Sequence, residues 1–291
     1  MGRALPGKVA IVTGGSTGLG RRISERFLDA GASLVLCARD GGPLEETVSE
    51  LRRRAAADQG VEAISCDVSE PPSSERVVSL ALERFGRVDV LVNNAGVYGP
   101  MGGLEDVDWT EWTRAIQVNL LGSVLMVRAV LPSMKERRRG KIIQLSGGGA
   151  TGPMPRFSAY AASKAAVVRF SETVAEEVRE LGIDVNAIAP GPLNTRLLDE
   201  VLSAGAERVG RDVFDRAVRQ KADGGAGLEA AAALATFLAS DESDGITGKL
   251  ISAVWDEWEA WPAHRDELAS TDAFTLRRIT GRDRGLGWGE R

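Results

Sequence analysis

The sequence predicts a doubly wound α/β fold: one parallel sheet of about seven strands with helices on both faces. Two observations carry this. Short β-rich runs alternate with longer helical stretches, as the crossover connections of a parallel sheet require. In addition, a glycine-rich turn, Thr13-Gly14-Gly15-Ser16-Thr17-Gly18-Leu19-Gly20, follows the first run and leads into a helix.

The strand candidates lie at 8–13, 33–38, 61–65, 89–92, 141–145, 184–188 and 249–253. Each is rich in β-branched or large apolar residues and is bounded by turn formers. Helical stretches are expected near 18–30, 43–58, 73–85, 108–136, 157–181 and 227–240, with Gly31, Gly60, Gly86, Gly140 and Gly182 as C-caps. No internal repeat or low-complexity linker divides the chain, so 1–256 reads as one domain closed by the last strand. Two parts stand outside the alternation. Residues 193–226 form a long insertion with scattered apolar positions (Leu197, Leu198, Val201, Leu202, Val209, Val213, Phe214), which suggests a lid over a substrate or a peripheral helical pair. Residues 257–291 form a polar extension carrying Trp258, Trp261, Phe274 and Trp288, spaced like a strap that packs on its own domain or on a neighbouring subunit.

Composition narrows the function. A net charge of -5 disfavours nucleic acid and anionic membrane as the main partner. No membrane span and no signal peptide are expected, and a cytoplasmic location follows. Cys37 and Cys66 fall in apolar runs without metal-type spacing, so buried free thiols are expected. His264, the only histidine, lies in the polar extension. A histidine base and a multi-histidine metal site are therefore not expected, and proton chemistry must use Tyr, Lys, Asp or Glu.

The pair Tyr160 and Lys164 meets that need. Four positions apart on a helix, they share one face. The ammonium can favour the phenolate, lowering a pKa normally about 10 so that the tyrosine can exchange a proton with an oxygen near neutral pH. The glycine turn lets a backbone approach a phosphate, which the helix N-terminus then receives.

The spacing Gly14-x3-Gly18-x-Gly20, Asn93-Asn94-Ala95-Gly96 after the fourth strand, Asn119 in Gln117-Val118-Asn119, Tyr160-x3-Lys164, and Pro190-Gly191 followed by Thr195 occur in one order. Over roughly residues 5–255 this set resembles the short-chain dehydrogenase/reductase family. The resemblance implies a Rossmann-like domain that transfers a hydride between a nicotinamide cofactor and a carbonyl or secondary alcohol of a small molecule. It implies Tyr160 as general acid/base, Lys164 on the nicotinamide ribose, and Asn119 holding a water that joins Lys164 to solvent. Cofactor contacts are implied for Gly14, Ser16, Thr17, Gly18, Leu19, Gly20, Asp67 (adenine), Val68, Asn93, Ala95, Gly96, Pro190, Gly191 and Thr195. It also implies a homodimer or homotetramer, with the Tyr160 helix in an interface.

At the end of the second strand Ala38 stands where an acidic residue would bond a ribose 2′-hydroxyl, and Arg39 follows, suited to a 2′-phosphate. NADP(H) is favoured, with NAD(H) open because Asp40 could serve if the strand ends later. The family pattern wants a serine about thirteen positions before the tyrosine, and the count falls on Gly147, with a hydroxyl one position earlier at Ser146. A turn among the three glycines could redirect Ser146, or the substrate or Thr151 could supply the donor. The protein could instead be a weakened dehydrogenase serving as a cofactor-binding or regulatory module. An epimerase that recycles its cofactor is a further alternative. Met154 and Phe157 could wall a substrate, Arg156 could meet an anionic group or face solvent, and the loop from Tyr98 would border the same cleft.

Overall fold

The structure, a computed structural model, describes residues 3–288. The first half-sheet alternates β1 (Val9–Thr13), α1 (Gly18–Asp29), β2 (Ser33–Ala38), α2 (Gly41–Arg54), β3 (Val61–Ser65) and α3 (Pro71–Phe85). The second continues with β4 (Val90–Asn93), α4 (Trp109–Ile116), α5 (Gly122–Arg137), β5 (Gly140–Leu145), α6 (Ser158–Val178) and β6 (Ile183–Ala189). Then come α7 (Arg196–Val209), α8 (Arg211–Asp223), α9 (Glu229–Ala239), β7 (Leu250–Ser252) and α10 (Arg265–Ser270). The strand order is β3-β2-β1-β4-β5-β6-β7, parallel throughout. All seven expected strands form, each end within one residue of its predicted position.

Alternation along the strands feeds two cores. Ala10 and Val12 join α1, α2 and α9 through Ile23, Phe27, Val48 and Leu234. Val9 and Ile11 join α3, α5 and α6 through Val77, Met126, Val130 and Val174. Burial on both faces is why these strands read as continuous apolar runs. The winding direction reverses between β1 and β4, so the loops that follow them leave in opposite directions and a crevice forms there.

The structure departs from the sequence expectations at several elements. The helical stretch expected over 108–136 is continuous but passes through a π-helical turn at Gln117–Leu121, where the Gly122 N–H donates to the Gln117 carbonyl five residues back. Gly86 and Gly182 are left-handed C-caps as expected, and Gly31 follows the C-cap of α1 with a positive φ. Gly140 instead begins β5, because Arg138 takes the left-handed position that ends α5. Gly60 does not cap α2, which stops at Arg54; a Cβ at Gly60 would meet the Phe85 ring at 2.5 Å. Cys37 and Cys66 are buried free thiols. One continuous helical stretch, Trp109–Arg137, is long and apolar enough by length and composition to cross a membrane, against expectation. Here it lies on the sheet, with Val118, Met126, Val127, Val130 and Met134 in the core.

The extension wraps back onto the same core. Trp258 and Trp261 are buried among the residues of α9, with the Trp258 ring 5.3 Å from Phe237. Beyond them the chain edges β7. The Leu250 N–H donates to the Phe274 carbonyl at 2.8 Å, Lys249 Nζ donates to Thr271 and Ala273 carbonyls, and the Leu276 N–H reaches Glu172 Oε1 at 2.6 Å. Trp288, by contrast, is exposed. Because Trp258 sits inside the core, Trp258→Ala should lower unfolding free energy by about 3–5 kcal/mol in urea titration. An unchanged midpoint would show that the extension adds nothing to folding.

Candidate active site

The crevice is fixed by side chains at the ends of β1 and β4. Thr13 Oγ1 accepts the N–H groups of Asn94 and Ala95, both at 3.0 Å, while Asn94 Nδ2 donates to the Thr13 and Gly14 carbonyls at 2.9 and 3.1 Å. The glycine turn closes against this lock. Gly14 and Gly18 have φ of 63° and 55°, in the left-handed region that favours glycine. A Cβ at Gly20 would lie 2.2 Å from the Gly14 carbonyl oxygen, so the first turn of α1 can approach β1 only with glycine there. The N-terminus of α1 thereby opens into the crevice, where its free N–H groups favour a phosphate.

A cavity of about 390 Å³ extends from Arg39 and Asp67, past Gly14 and Ser16–Leu19, to Ser146, Tyr160 and Lys164. Of the expected cofactor residues it is lined by Gly14, Ser16, Thr17, Gly18, Leu19, Arg39, Asp67, Val68, Ala95, Gly96, Pro190 and Thr195. Gly20, Asn93 and Gly191 are not among the lining residues. Gly20 is spent on close packing, and the Asn93 amide turns the other way to donate to the Ser123 carbonyl in α5. Asn94, which sequence reasoning quoted but gave no role, is the side chain that faces the turn; strand alternation after a correctly placed Asn93 could have found it.

At the outer end, Arg39 is exposed and Asp40 is the N-cap of α2, its Oδ1 accepting the Gly42 N–H at 3.2 Å. Asp67 is engaged by Ser69 and by an ion pair with Arg114. Burial pushes its carboxyl up, but the Ser69 bonds and the Arg114 charge outweigh this and hold it below the usual carboxylate range.

At the inner end, Tyr160 and Lys164 share the buried face of α6. Lys164 Nζ donates to the Leu145 carbonyl at 2.7 Å and lies 5.7 Å from the centre of the Tyr160 ring. The lowered phenol pKa expected from the sequence is not what this geometry produces. Burial pushes the Tyr160 hydroxyl well above its ordinary value, and Tyr98, whose ring is 4.6 Å away edge-on, adds to the rise. Burial likewise pushes Lys164 down to about 8. Asn119 joins the loop after β4 to α6. The side chain brackets Val97, accepting its N–H and donating to its carbonyl, both at 2.9 Å, and donates to Ser163 Oγ as well. The π-turn brings Asn119 to this position.

Gly147 stands at the position of the missing serine. Its φ of -178° suits any residue, and the Tyr160 hydroxyl occupies the space beside it: a Cβ there would lie 2.2 Å from Tyr160 Oη. The redirection of Ser146 by a turn does not occur, since the Ser146 N–H still donates to the Ile188 carbonyl at 2.8 Å and prolongs the β5·β6 ladder. The residue nonetheless lines the cavity, and Ser146 Oγ is buried without a hydrogen-bond partner. Thr151 is exposed and does not line the cavity.

A parallel sheet reversing at β1/β4, a phosphate-type turn and a cleft ending at a Tyr/Lys pair define an α/β protein of the Rossmann type. The chain belongs to the short chain dehydrogenase family, whose model matches residues 8–205. A short chain dehydrogenase of Pseudocercospora fijiensis is 40% identical over 197 residues, covering 66% of this chain and 62% of that one. Among solved structures, a levodione reductase superimposes with a TM-score of 0.78 at 28% identity, covering 92% of this chain and all of the other. An NAD+-bound xylitol dehydrogenase gives 0.77 at 25% identity, covering 85% and 98%.

The lysine makes the site self-opposed. An unfolded lysine keeps its ordinary 10.5, so between about 8 and 10.5 the unfolded chain holds the extra proton and stability rises with pH. Below that window the buried charge costs folding roughly 3 kcal/mol. Lys164→Met should therefore raise stability at pH 7, measured in urea without added nucleotide, by on the order of 1–3 kcal/mol. The gain should vanish near pH 10.5; an equal gain at both pH values would refute the burial penalty.

Proposed function

We propose that this protein is an NAD(P)-dependent oxidoreductase that interconverts a carbonyl and a secondary alcohol, with Tyr160 as the general acid/base. The observation that carries this is the placement of Tyr160, Lys164 and Ser146 at the inner end of the cavity whose outer end is the glycine turn and Arg39. A bound nicotinamide dinucleotide supplies the hydride. The chain would hold its phosphates at the N-terminus of α1, its adenosine between Arg39 and Val68, and its nicotinamide ribose at Lys164.

The chain's own chemistry is a proton transfer. The raised Tyr160 pKa keeps the phenol protonated through the neutral range, ready to donate to the oxygen of a carbonyl being reduced. Lys164, mostly protonated below about 8, places a positive charge beside that phenol and stabilises it as it loses its proton. Ser146 supplies the second hydroxyl: a buried, unpartnered donor is worth most at an oxygen that gains negative charge. Asn119, by clamping Val97 and Ser163, keeps the β4 loop and α6 in register.

Arg39 favours NADP(H). It is exposed at the rim with no acidic residue at Ala38, and Asp40 is engaged as a helix cap. A weakened, cofactor-binding protein remains a second reading on one observation, that Gly147 leaves Tyr160 without the usual serine partner.

Tyr160→Phe should remove turnover and Ser146→Ala should lower kcat about 10²–10³-fold. Both should leave nucleotide affinity, followed by fluorescence titration, unchanged; full activity in Tyr160→Phe would sink the assignment. For the cofactor, Arg39→Ala should raise the Kd for NADPH about tenfold while leaving NADH within a factor of two, an estimate set by one charge-assisted contact. Equal losses for both would remove the case for a 2′-phosphate site.

A further inference from the structure

The start of the 193–226 insertion borders the same cavity as the glycine turn. Thr195, Arg196 and Leu197 line it together with Thr17, Gly18 and Leu19. The two segments abut: a Cβ at Gly18 would lie 3.5 Å from Thr195 Cγ2. Thr195 is the N-cap of α7 and its side chain makes no capping hydrogen bond, as is also true of Thr17 at α1. Two helix N-termini therefore meet at one stretch of the cavity, and Arg196 is the first residue of the second helix.

Positive charge is spread thinly along this cavity. Its cationic lining residues are Arg39 at the outer end, Lys164 at the inner end, and Arg196. The turn itself, residues 13–20, carries no basic side chain. Arg21 and Arg22, which follow it, are engaged by Glu25, Glu50 and Glu229. Arg156, which the sequence left free to meet an anionic group, donates from Nη1 to the Glu207 and Arg208 carbonyls at 2.8 and 3.2 Å and caps the end of α7. Arg196 is held far less. Its side chain is 61% exposed, and the one partner of its guanidinium among the described residues is Glu200, with Nε at 3.5 Å. So open an (i, i+4) pair is worth little and leaves the guanidinium free to turn to a stronger anion.

We infer that Arg196 binds the diphosphate of the dinucleotide from the α7 side of the cavity, as an ionic clamp that complements the N-terminus of α1. This rests on the dinucleotide-binding half of the reading above and not on the role of Tyr160. A diphosphate carries full negative charge, which α1 can meet only with N–H groups and a partial charge. A planar guanidinium adds a full charge and paired donors that match phosphate oxygens. The contact with Gly18 favours the phosphates over an anionic group on the substrate, because it sets the start of α7 beside the turn. The residues further along α7, Leu198 and Val201, instead join the apolar cluster of Tyr160, Phe157 and Met154. The two cavity arginines then divide the work: Arg39 meets the 2′-phosphate that one cofactor carries, and Arg196 the diphosphate that both carry.

The test is calorimetric titration of the full chain with NADPH, NADH and ADP-ribose, which share the diphosphate. Arg196→Met keeps the apolar stem and removes the charge. It should raise the Kd for each ligand about tenfold, through loss of one charge-assisted contact, with Arg196→Lys in between. Added salt should weaken binding to the parent more than to Arg196→Met. Glu200→Gln separates a clamp from a structural pair. It breaks the same ion pair but spares the guanidinium, so affinity should hold or improve. A loss matching that of Arg196→Met would show that the pair merely shapes α7, and overturns the inference. Unchanged Kd values in Arg196→Met overturn it as well, and a rise confined to the KM of an anionic substrate would assign the residue to the substrate. A parent chain that binds none of these ligands refutes the dinucleotide reading itself. If binding behaves as expected and Tyr160→Phe still matches the parent rate, the clamp stands and the catalytic reading fails.

Discussion

Everything at the site depends on how the chain fixes the loops that leave the paired strands β1 and β4. Where these loops part, carbonyl and N–H groups are exposed that no neighbouring strand can satisfy. Thr13 and Asn94 meet that demand with four hydrogen bonds, and so fix the angle at which both loops leave the sheet. The glycine turn, the approach of Gly20 to Gly14 and the loop carrying Ala95 to Val97 all build on that fixed angle. Asn119 then ties the Val97 end of this loop to α6, and α6 carries Tyr160 and Lys164. The catalytic pair is therefore positioned from the switch point outward, through a chain of satisfied polar groups.

The seven strands were legible because burial on both faces demands continuous apolar runs, and such runs survive in a single sequence. The phosphate turn and the Tyr160/Lys164 face were legible for a related reason, since local spacing alone sets them. What was hidden depended on long-range contact. The π-turn at Gln117–Leu121 leaves no mark in residue type, and so the commitment of the Asn119 amide to Val97 and Ser163 could not be read from it. Arg156 could be judged only after α7 brought two carbonyls to it. Gly147 was noticed as a missing serine, but the close approach of the phenol oxygen to it comes from α6 packing against β5.

The same contact sets the character of the reaction centre. With Tyr160 against Gly147 and beneath α7 and α8, burial raises the tyrosine and lowers the lysine, so both groups are pushed toward their uncharged forms. Such a centre gains most from any ligand dipole that enters it, because little solvent competes. The buried, unpartnered Ser146 hydroxyl is the third sign of this condition. Polar groups left wanting inside a hydrophobic shell lower the stability of the resting fold and strengthen its grip on a matching ligand.

The extension bears on where this protein can be cut. The motifs of the family stop near residue 205 and the last strand ends at Ser252, so a boundary drawn on either would look safe. Yet the indoles of Trp258 and Trp261 fill the layer beneath α9, and the backbone of Phe274 and Leu276 completes the outer edge beside β7 and α6. A shortened gene product ending at residue 256 would carry every recognisable signature and still expose an unfilled hollow and a bare sheet edge. Such an edge is a template for cross-strand stacking between molecules. The segment that looks most dispensable by its polarity would then separate a dispersed protein from an aggregating one.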